Sequence, residues 1–271
     1  MPELPEVETV RRGLEPHVIG RTIREVTVRD SRLRWPIPGE FAEFARGKKI
    51  RAVARRGKYL IFDLGGDRLI VHLGMTGRLL LLDPKTPLKK HDHVDLLLSG
   101  QLLLRFHDPR RFGAVLPWPA AEAQHVLLAE MGPEPFSAEF NGDYLYERSR
   151  GRSAAVKLFI MDGRIVVGVG NIYASEALFH AGIRPKTAAG KVTRAQYAKL
   201  AAAILKVLDA AIAKGGTTLR DFRGSDGSNG YFQQVLMVYD REGQPCRVCK
   251  TSIKRLVLGQ RSTYFCPSCQ K

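Results

Sequence analysis

The sequence predicts an α+β, multidomain protein, and three observations carry that expectation. Apolar residues recur at helical spacing near the start, follow a strand period from residue 22 to 117, and return to helical spacing after about residue 141. A GPEPF stretch at 132–136 interrupts the chain between the last two regimes. All four cysteines lie in the last 26 residues, at 246, 249, 266 and 269, so a separate small module closes the chain.

Each element can be justified in order. Residues 5–18 read as a helix because Val7, Val10, Leu14 and Val18 form one stripe at spacings of three and four. Six short β-rich runs follow (TIREVTV, KYLIFDL, RLIVHL, RLLLL, HVDLLL and QLLLRF), separated by Gly, Pro, Asp and Lys, with no helical pattern between them. That pattern fits an antiparallel sandwich or barrel. The clearest helix is 194–213, where Thr193 and Gln196 make a capping box, Tyr197, Leu200, Ile204, Leu208 and Ile212 make the stripe, and Gly215-Gly216 stops it. A Gly- and Ser-rich loop at 223–230 precedes short strands around the cysteines. The resulting division is 1–131, 132–230 and 237–271.

Charge narrows the function. Lys plus Arg number 43 against 27 Asp plus Glu, a formal charge of +16 on a chain that is 44% hydrophobic. There is ample apolar material for a core, so the excess is not a disordered basic tail, and the folded protein should bind something anionic. Arginine outnumbers lysine, and its rigid donor fork suits phosphate and base edges. Nucleic acid therefore leads and an anionic membrane surface comes second. No uncharged run approaches the roughly 20 residues of a spanning helix, and the acidic start MPELPEVETV is unlike a signal peptide. The expectation is a cytoplasmic protein with no membrane partner.

Cys246-x2-Cys249 and Cys266-x2-Cys269, with sixteen residues between them, match a four-thiolate structural Zn2+ site. With sulfur in every position, that metal would hold structure and not activate water. Arg241, Arg247, Lys250, Lys254, Arg255, Arg261 and Lys271 surround it against the single acid Glu242. The IVVGVGNIYASE segment invites a dinucleotide-binding reading, which fails because Tyr173 stands at the third glycine position and no βαβ pattern surrounds it. No nucleotide cofactor is therefore expected. Asn171 reads instead as a helix N-cap beside free N–H groups suited to a phosphate. Taken alone, DPRRFG is a basic turn, Met75 a core gap-filler and Lys58 a solvated lysine. Pro2 is different. Removal of the initiator Met would leave a secondary amine whose pKa, about 8 for an α-amino group, makes part of it nucleophilic at neutral pH. Glu3 and Glu6 stand near enough in sequence to move protons, or simply to complement a helix dipole.

Taken together, MPELPEVETVRRGLEP, RRGKYL, HLGMTGR, KHDHVD, DPRRFG, GVGNIYASEALFHAGI, KGGTTLRDF and the terminal QRSTYFCPSC resemble bacterial formamidopyrimidine-DNA glycosylases, in order and over nearly the whole chain. The resemblance implies an N-terminal helix with a β-sandwich, a helical domain containing a helix–two-turn–helix motif, and a C-terminal zinc finger, with damaged double-stranded DNA held between the two halves. It implies a monomeric, nucleoid-associated base-excision enzyme that removes oxidised purines, 8-oxoguanine and formamidopyrimidines, and then cuts the strand by β- and δ-elimination.

Residue by residue, the resemblance makes Pro2 the Schiff-base nucleophile and Glu3 the carboxyl assisting base departure. Lys58 becomes the catalytic lysine and Arg261 the zinc-finger arginine on the phosphates. Met75, Arg110 and Phe112 would fill the void left by the extruded nucleotide, His91, Arg152 and Asn171 would make further DNA contacts, and residues 218–227 would close over the flipped lesion. The related endonuclease VIII group shares the fold but prefers oxidised pyrimidines, and the LPEVETV start and DPRRFG turn favour the purine enzyme. A non-catalytic zinc-dependent DNA-binding protein on the same scaffold is the other alternative, against which the intact Pro2-Glu3 pair argues.

Overall fold

The computed structural model describes residues 2–216 and 236–271. They fall into two compact units, one reaching to Ala129 with Lys214–Gly216 added, the other formed by Glu130–Ala213 and the chain from 236 onward.

The first unit opens with helix α1 (Leu4–Val18), one residue longer than the apolar stripe predicts because Leu4 and Pro5 occupy its first turn. Eight antiparallel strands follow, labelled β1 (Ile23–Val28), β2 (Ala52–Arg56), β3 (Tyr59–Asp63), β4 (Arg68–His72), β5 (Arg78–Leu82), β6 (Asp92–Leu98), β7 (Leu102–His107) and β8 (Ala114–Trp118). They form two four-stranded sheets, β1-β6-β7-β5 and β2-β3-β4-β8, which makes the architecture a sandwich. Its core joins Phe62, Leu69 and Val71 of one sheet to Leu79, Val94, Leu104 and Phe106 of the other. Val7, Val10, Leu14 and Val18 of α1 belong to the same core.

Six of the eight strands are the runs that the sequence marks. The other two are the outer strands of the second sheet. In β2, Val53 is the single buried side chain, and β8 carries Pro117, which an outer strand tolerates because one side of its backbone has no ladder partner. The expectation of no helix between the strands is also corrected, since Phe41–Ala45 forms a short α2 whose Phe41 and Ala45 are buried.

The second unit carries α3 (Gly142–Ser149), α4 (Val156–Met161), α5 (Asn171–Ala181) and α6 (Arg194–Ala213). Helix α6 has the predicted bounds, and its start is a working capping box: the Thr193 N–H donates to Gln196 Oε1 at 2.9 Å and the Gln196 N–H to Thr193 Oγ1 at 3.2 Å. A two-stranded hairpin of β9 (Lys254–Leu258) and β10 (Arg261–Phe265) follows. Phe179 of α5 packs with Val238, Ile253, Tyr264, Cys246 and Cys266, so the cysteine module shares a core with this helix. Among the described residues, no helix is long and apolar enough to cross a membrane.

Candidate active site and metal centre

Strand register gathers the candidate residues of the first unit at one end of the sandwich. In one sheet, Arg56 pairs with Tyr59, Tyr59 with His72 and His72 with Ala114. In the other, Arg78 and Asp92 both pair with His107. The turns leaving these two rows carry Lys58, Met75, His91, Arg110 and Phe112. Helix α1 packs on β2 and β3, and there the Glu8 carboxylate accepts from Arg55 Nε at 3.1 Å while Arg55 Nη1 donates to the Gly57 carbonyl at 3.1 Å, next to Lys58.

Pro2 and Glu3 are buried at the start of α1. Glu3 is the N-cap residue, and its N–H donates to the carboxylate of fully buried Glu6 at 2.8 Å, which is why two acids can sit at this positive helix end. The Gly215-Gly216 pair does more than stop α6. A Cβ on Gly216, whose φ is +81°, would lie 2.8 Å from Glu6 Oε1, so only glycine lets this backbone rest against Glu6.

Close backbone contact also joins the Met75 turn to the DPRRFG turn. A Cβ on Gly74 would come within 2.4 Å of the Phe112 carbonyl carbon, and one on Gly113 within 2.6 Å of the His72 oxygen. Met75 is half-buried, Arg110 and Phe112 are exposed, and the Arg110 guanidinium lies 4.7 Å from the centre of the Phe112 ring. His72 Nδ1 accepts the Gly74 N–H at 3.1 Å, and its ring centre is 4.7 Å from that of Tyr59. Burial, with Lys58 and Arg34 nearby, holds the His72 imidazole down at about 4. His91 has φ +78° and sets its ring against those of His93 and His107.

In the second unit the N-cap expectation for Asn171 is corrected. Gly170 is the cap, Asn171 is the first helical residue, and its side chain is engaged elsewhere. Asn171 Oδ1 accepts from Lys157 Nζ at 2.6 Å, and its amide nitrogen donates to the Ser262 carbonyl at 3.1 Å. Lys157 is wholly buried and also donates to the Ser262 carbonyl at 3.1 Å and to Thr263 Oγ1 at 2.8 Å. This tie holds the β10 end bearing exposed Arg261 against the starts of α4 and α5. Arg152 is exposed between α3 and α4, with Nε donating to the Arg148 carbonyl at 2.9 Å and its guanidinium near the Phe159 ring. Glu176, nearly fully buried on α5, accepts the backbone N–H groups of Met237, Val238 and Tyr239 at 2.7–3.0 Å. Burial pushes its carboxyl above the ordinary value and those three donors oppose the shift. The sequence reading missed both Lys157 and Glu176. The 218–227 loop expectation and Met1 lie outside the described residues.

The four cysteine sulfurs all lie within 4.8 Å of one another, with 3.9 Å between Cys246 and Cys269 and 3.4 Å between Cys249 and Cys266. These separations are far beyond a disulfide and close to the roughly 3.8 Å edge of a tetrahedron built on Zn–S bonds of about 2.3 Å. Backbone N–H groups of Val248 and Cys269 point at the Cys246 and Cys266 sulfurs, as suits thiolates. The donor set fits a single structural zinc.

Three family models match the chain in succession: the formamidopyrimidine-DNA glycosylase N-terminal domain over residues 1–115, the H2TH domain of the same enzymes over 131–223, and the zinc finger found in FPG and IleRS over 243–271. Formamidopyrimidine-DNA glycosylases of Hahella chejuensis and Thioalkalivibrio sulfidiphilus are each 56% identical over 271 residues, with both chains covered completely. Among solved structures, the Fpg protein of Thermus thermophilus superposes with a TM-score of 0.89 at 40% identity, covering 99% of this chain and 98% of that one. A Lactococcus lactis Fpg variant bound to Fapy-dG-containing DNA gives 0.92 at 34% identity over the whole of both chains. The wild-type Lactococcus enzyme, also 34% identical with a TM-score of 0.91 over all of both chains, was crystallised with DNA containing an oxidised pyrimidine.

Proposed function

Because the chain belongs to the formamidopyrimidine-DNA glycosylase family, we propose that it excises oxidised purines, 8-oxoguanine and formamidopyrimidines, from duplex DNA and then cuts the strand as an abasic-site lyase. The observation that carries this reading is the convergence of Lys58, Met75, His91, Arg110 and Phe112 at one end of the sandwich to which the Pro2-bearing helix is tied.

Once Met1 is removed, Pro2 becomes a secondary amine at the positive end of α1, an environment that disfavours its protonation. Its lone pair attacks C1′ of the damaged nucleoside, the glycosidic electron pair departs with the base, and the proton that the Pro2 nitrogen then sheds neutralises the departing base. Glu3 protonates the ring oxygen as the sugar opens, leaving an iminium between the Pro2 nitrogen and C1′. A tertiary iminium nitrogen has no proton to lose, so it stays an electron sink. Loss of a C2′ proton expels the 3′ phosphate, and a second elimination expels the 5′ phosphate.

A stacked base hides its glycosidic bond, so the nucleotide must leave the helix. Met75 and Phe112 replace its stacking, and Arg110 hydrogen-bonds the orphaned partner base. Lys58 contacts the lesion and a phosphate, while His91, Arg152, Asn171 and Arg261 hold the backbone. Zinc, held by the four cysteines, supplies rigidity to the hairpin that presents Arg261.

Borohydride trapping tests the reading. Processed protein mixed with 8-oxoguanine duplex should give a covalent adduct that peptide mapping places on Pro2, and a form with an uncleavable N-terminal extension should bind lesion DNA yet trap nothing. An adduct on Lys58, or strand cleavage by the extended form, would overturn it. The oxidised-pyrimidine complex of the Lactococcus relative favours a second, broader substrate reading, which the same assay separates by exchanging the lesion.

A further inference from the structure

We propose that Thr76 and Asp108 lock the Met75 turn and the Arg110–Phe112 turn into one rigid body, making Thr76 a positioning residue for discrimination of the base opposite the lesion. The inference rests on the assignment of these turns to the DNA interface. It concerns two side chains which that assignment leaves without a part.

Asp108 is wholly buried at the end of β7, and both of its carboxylate oxygens are committed. One accepts the Thr76 hydroxyl at 2.6 Å and the other the Gly113 N–H at 2.8 Å. Its own backbone is fixed too, because its carbonyl meets His93 Nε2 at 2.8 Å and its N–H donates to the His91 carbonyl at 3.0 Å. The Thr76 hydroxyl also accepts the Arg110 N–H at 3.2 Å, so one oxygen donates to the base of the second turn and receives from its tip.

Each turn crosses from one sheet to the other between strands that already pair, β4 with β8 and β5 with β7, and the buried carboxylate adds a side-chain bridge between the two turns. Glycine contacts at Gly74 and Gly113 leave no gap in which one turn could shift alone. Inserting side chains into a duplex costs unstacking energy, which is offset only if the wedge and the group reading the orphaned base arrive together. If Met75 entered with the Arg110–Phe112 turn out of place, the void would be only partly filled and partner discrimination lost.

Thr76→Val is nearly isosteric and deletes only the hydroxyl, whereas Thr76→Ser keeps it. In single-turnover excision of 8-oxoguanine, Thr76→Val should lower the rate ratio between lesion-cytosine and lesion-adenine pairs about tenfold, the size expected for losing a hydrogen bond to a carboxylate. Its affinity for undamaged duplex should stay within about twofold of wild type, and Thr76→Ser should restore the ratio. An unchanged ratio in Thr76→Val, or Thr76→Ser as defective as Thr76→Val, overturns the proposal. A second measurement leaves Thr76 in place: Met75→Ala and Phe112→Ala should be non-additive in excision rate, and strict additivity would show that the turns act independently. Wild-type protein that excises no lesion would instead sink the glycosylase reading itself, an outcome distinct from each of these.

Discussion

His72 should make the sandwich unit acid-sensitive through one hydrogen bond. Its Nδ1 accepts the Gly74 N–H at 3.1 Å and must therefore be unprotonated, which fixes the neutral imidazole with its proton on Nε2. Burial, then Lys58, then Arg34 disfavour the cation and hold the group at about 4 against an ordinary 6.5. The unfolded chain takes up this proton first as pH falls. Stability is then fully present well above pH 6.5, declines as pH falls below it, and the loss is complete only below about pH 4, where both states are protonated. At 1.36 kcal/mol per unit, the shift corresponds to roughly 3 kcal/mol. For a unit of this size that is about 10 °C in Tm.

Replacement by Asn separates titration from geometry. An Asn side-chain oxygen can accept the N–H two residues on, as in an Asx turn, and it carries no charge at any pH. Thermal unfolding of wild type and His72→Asn should differ little at pH 7.5, and the wild type should lose about 10 °C more than the variant between pH 6.5 and 4. His125 and His180 are also held below their ordinary values by burial, and their contributions cancel in this difference. Parallel pH profiles for the two proteins, or an NMR titration of the His72 ring near 6.5, would refute the reasoning.

Three further outcomes are expected. Cys246→Ser should lose its zinc and its DNA binding while a sandwich-unit transition persists, since the metal site and β1–β8 belong to different units; a full zinc complement by metal analysis would contradict the four-thiolate assignment. Lys157→Met fills the same volume but removes three ammonium hydrogen bonds, partly offset by relief of ammonium burial, for a net loss of about 2–3 kcal/mol in thermal or denaturant unfolding. Its affinity for abasic-site duplex should also fall about tenfold as Arg261 loses its support. Asp95 would be raised by its burial, but Arg105 and Arg29 outweigh this and hold it below its ordinary value, so its contribution is present above about pH 4 and lost as pH falls through the lowered value. Asp95→Asn should cost about 3–5 kcal/mol at pH 7 by leaving buried Arg105 half-paired, with the gap to wild type narrowing as pH falls through that lowered value.

What the sequence discloses and what it conceals divide along the range of the interactions involved. Helix α6 is legible to the residue because its signals are local: Thr193 and Gln196 are three apart and the stripe repeats every turn. The strands β1 and β3–β7 are legible because a buried face imposes its period on the residues themselves. Strand β2 is not, because Val53 is its single buried side chain, and β8 is not, because Pro117 within AVLPW argues against a strand that its outer position tolerates. The four cysteines are legible because a metal fixes both residue type and spacing.

Asn171 shows how a local rule fails. Gly-Asn before a helix reads as an Asn cap, but Ser262, 91 residues away, and buried Lys157 claim the amide, so the extended Gly170 becomes the cap. Lys157 and Glu176 leave no sequence signal of their own, because a lysine or glutamate on a short helix ordinarily faces solvent. Their partners stand 14 to 106 residues away and are brought to them only by packing of α4 and of the cysteine module on α5. The same holds for the pairing of Thr76 with Asp108, which the register of β5 on β7 creates by placing Arg78 opposite His107. The residues proposed to touch DNA are thus visible in the sequence as motifs, each bland when read alone and pointing to DNA only in their joint order. The side chains that aim them are ordinary in sequence and become identifiable only once strand register and helix packing have set their neighbours.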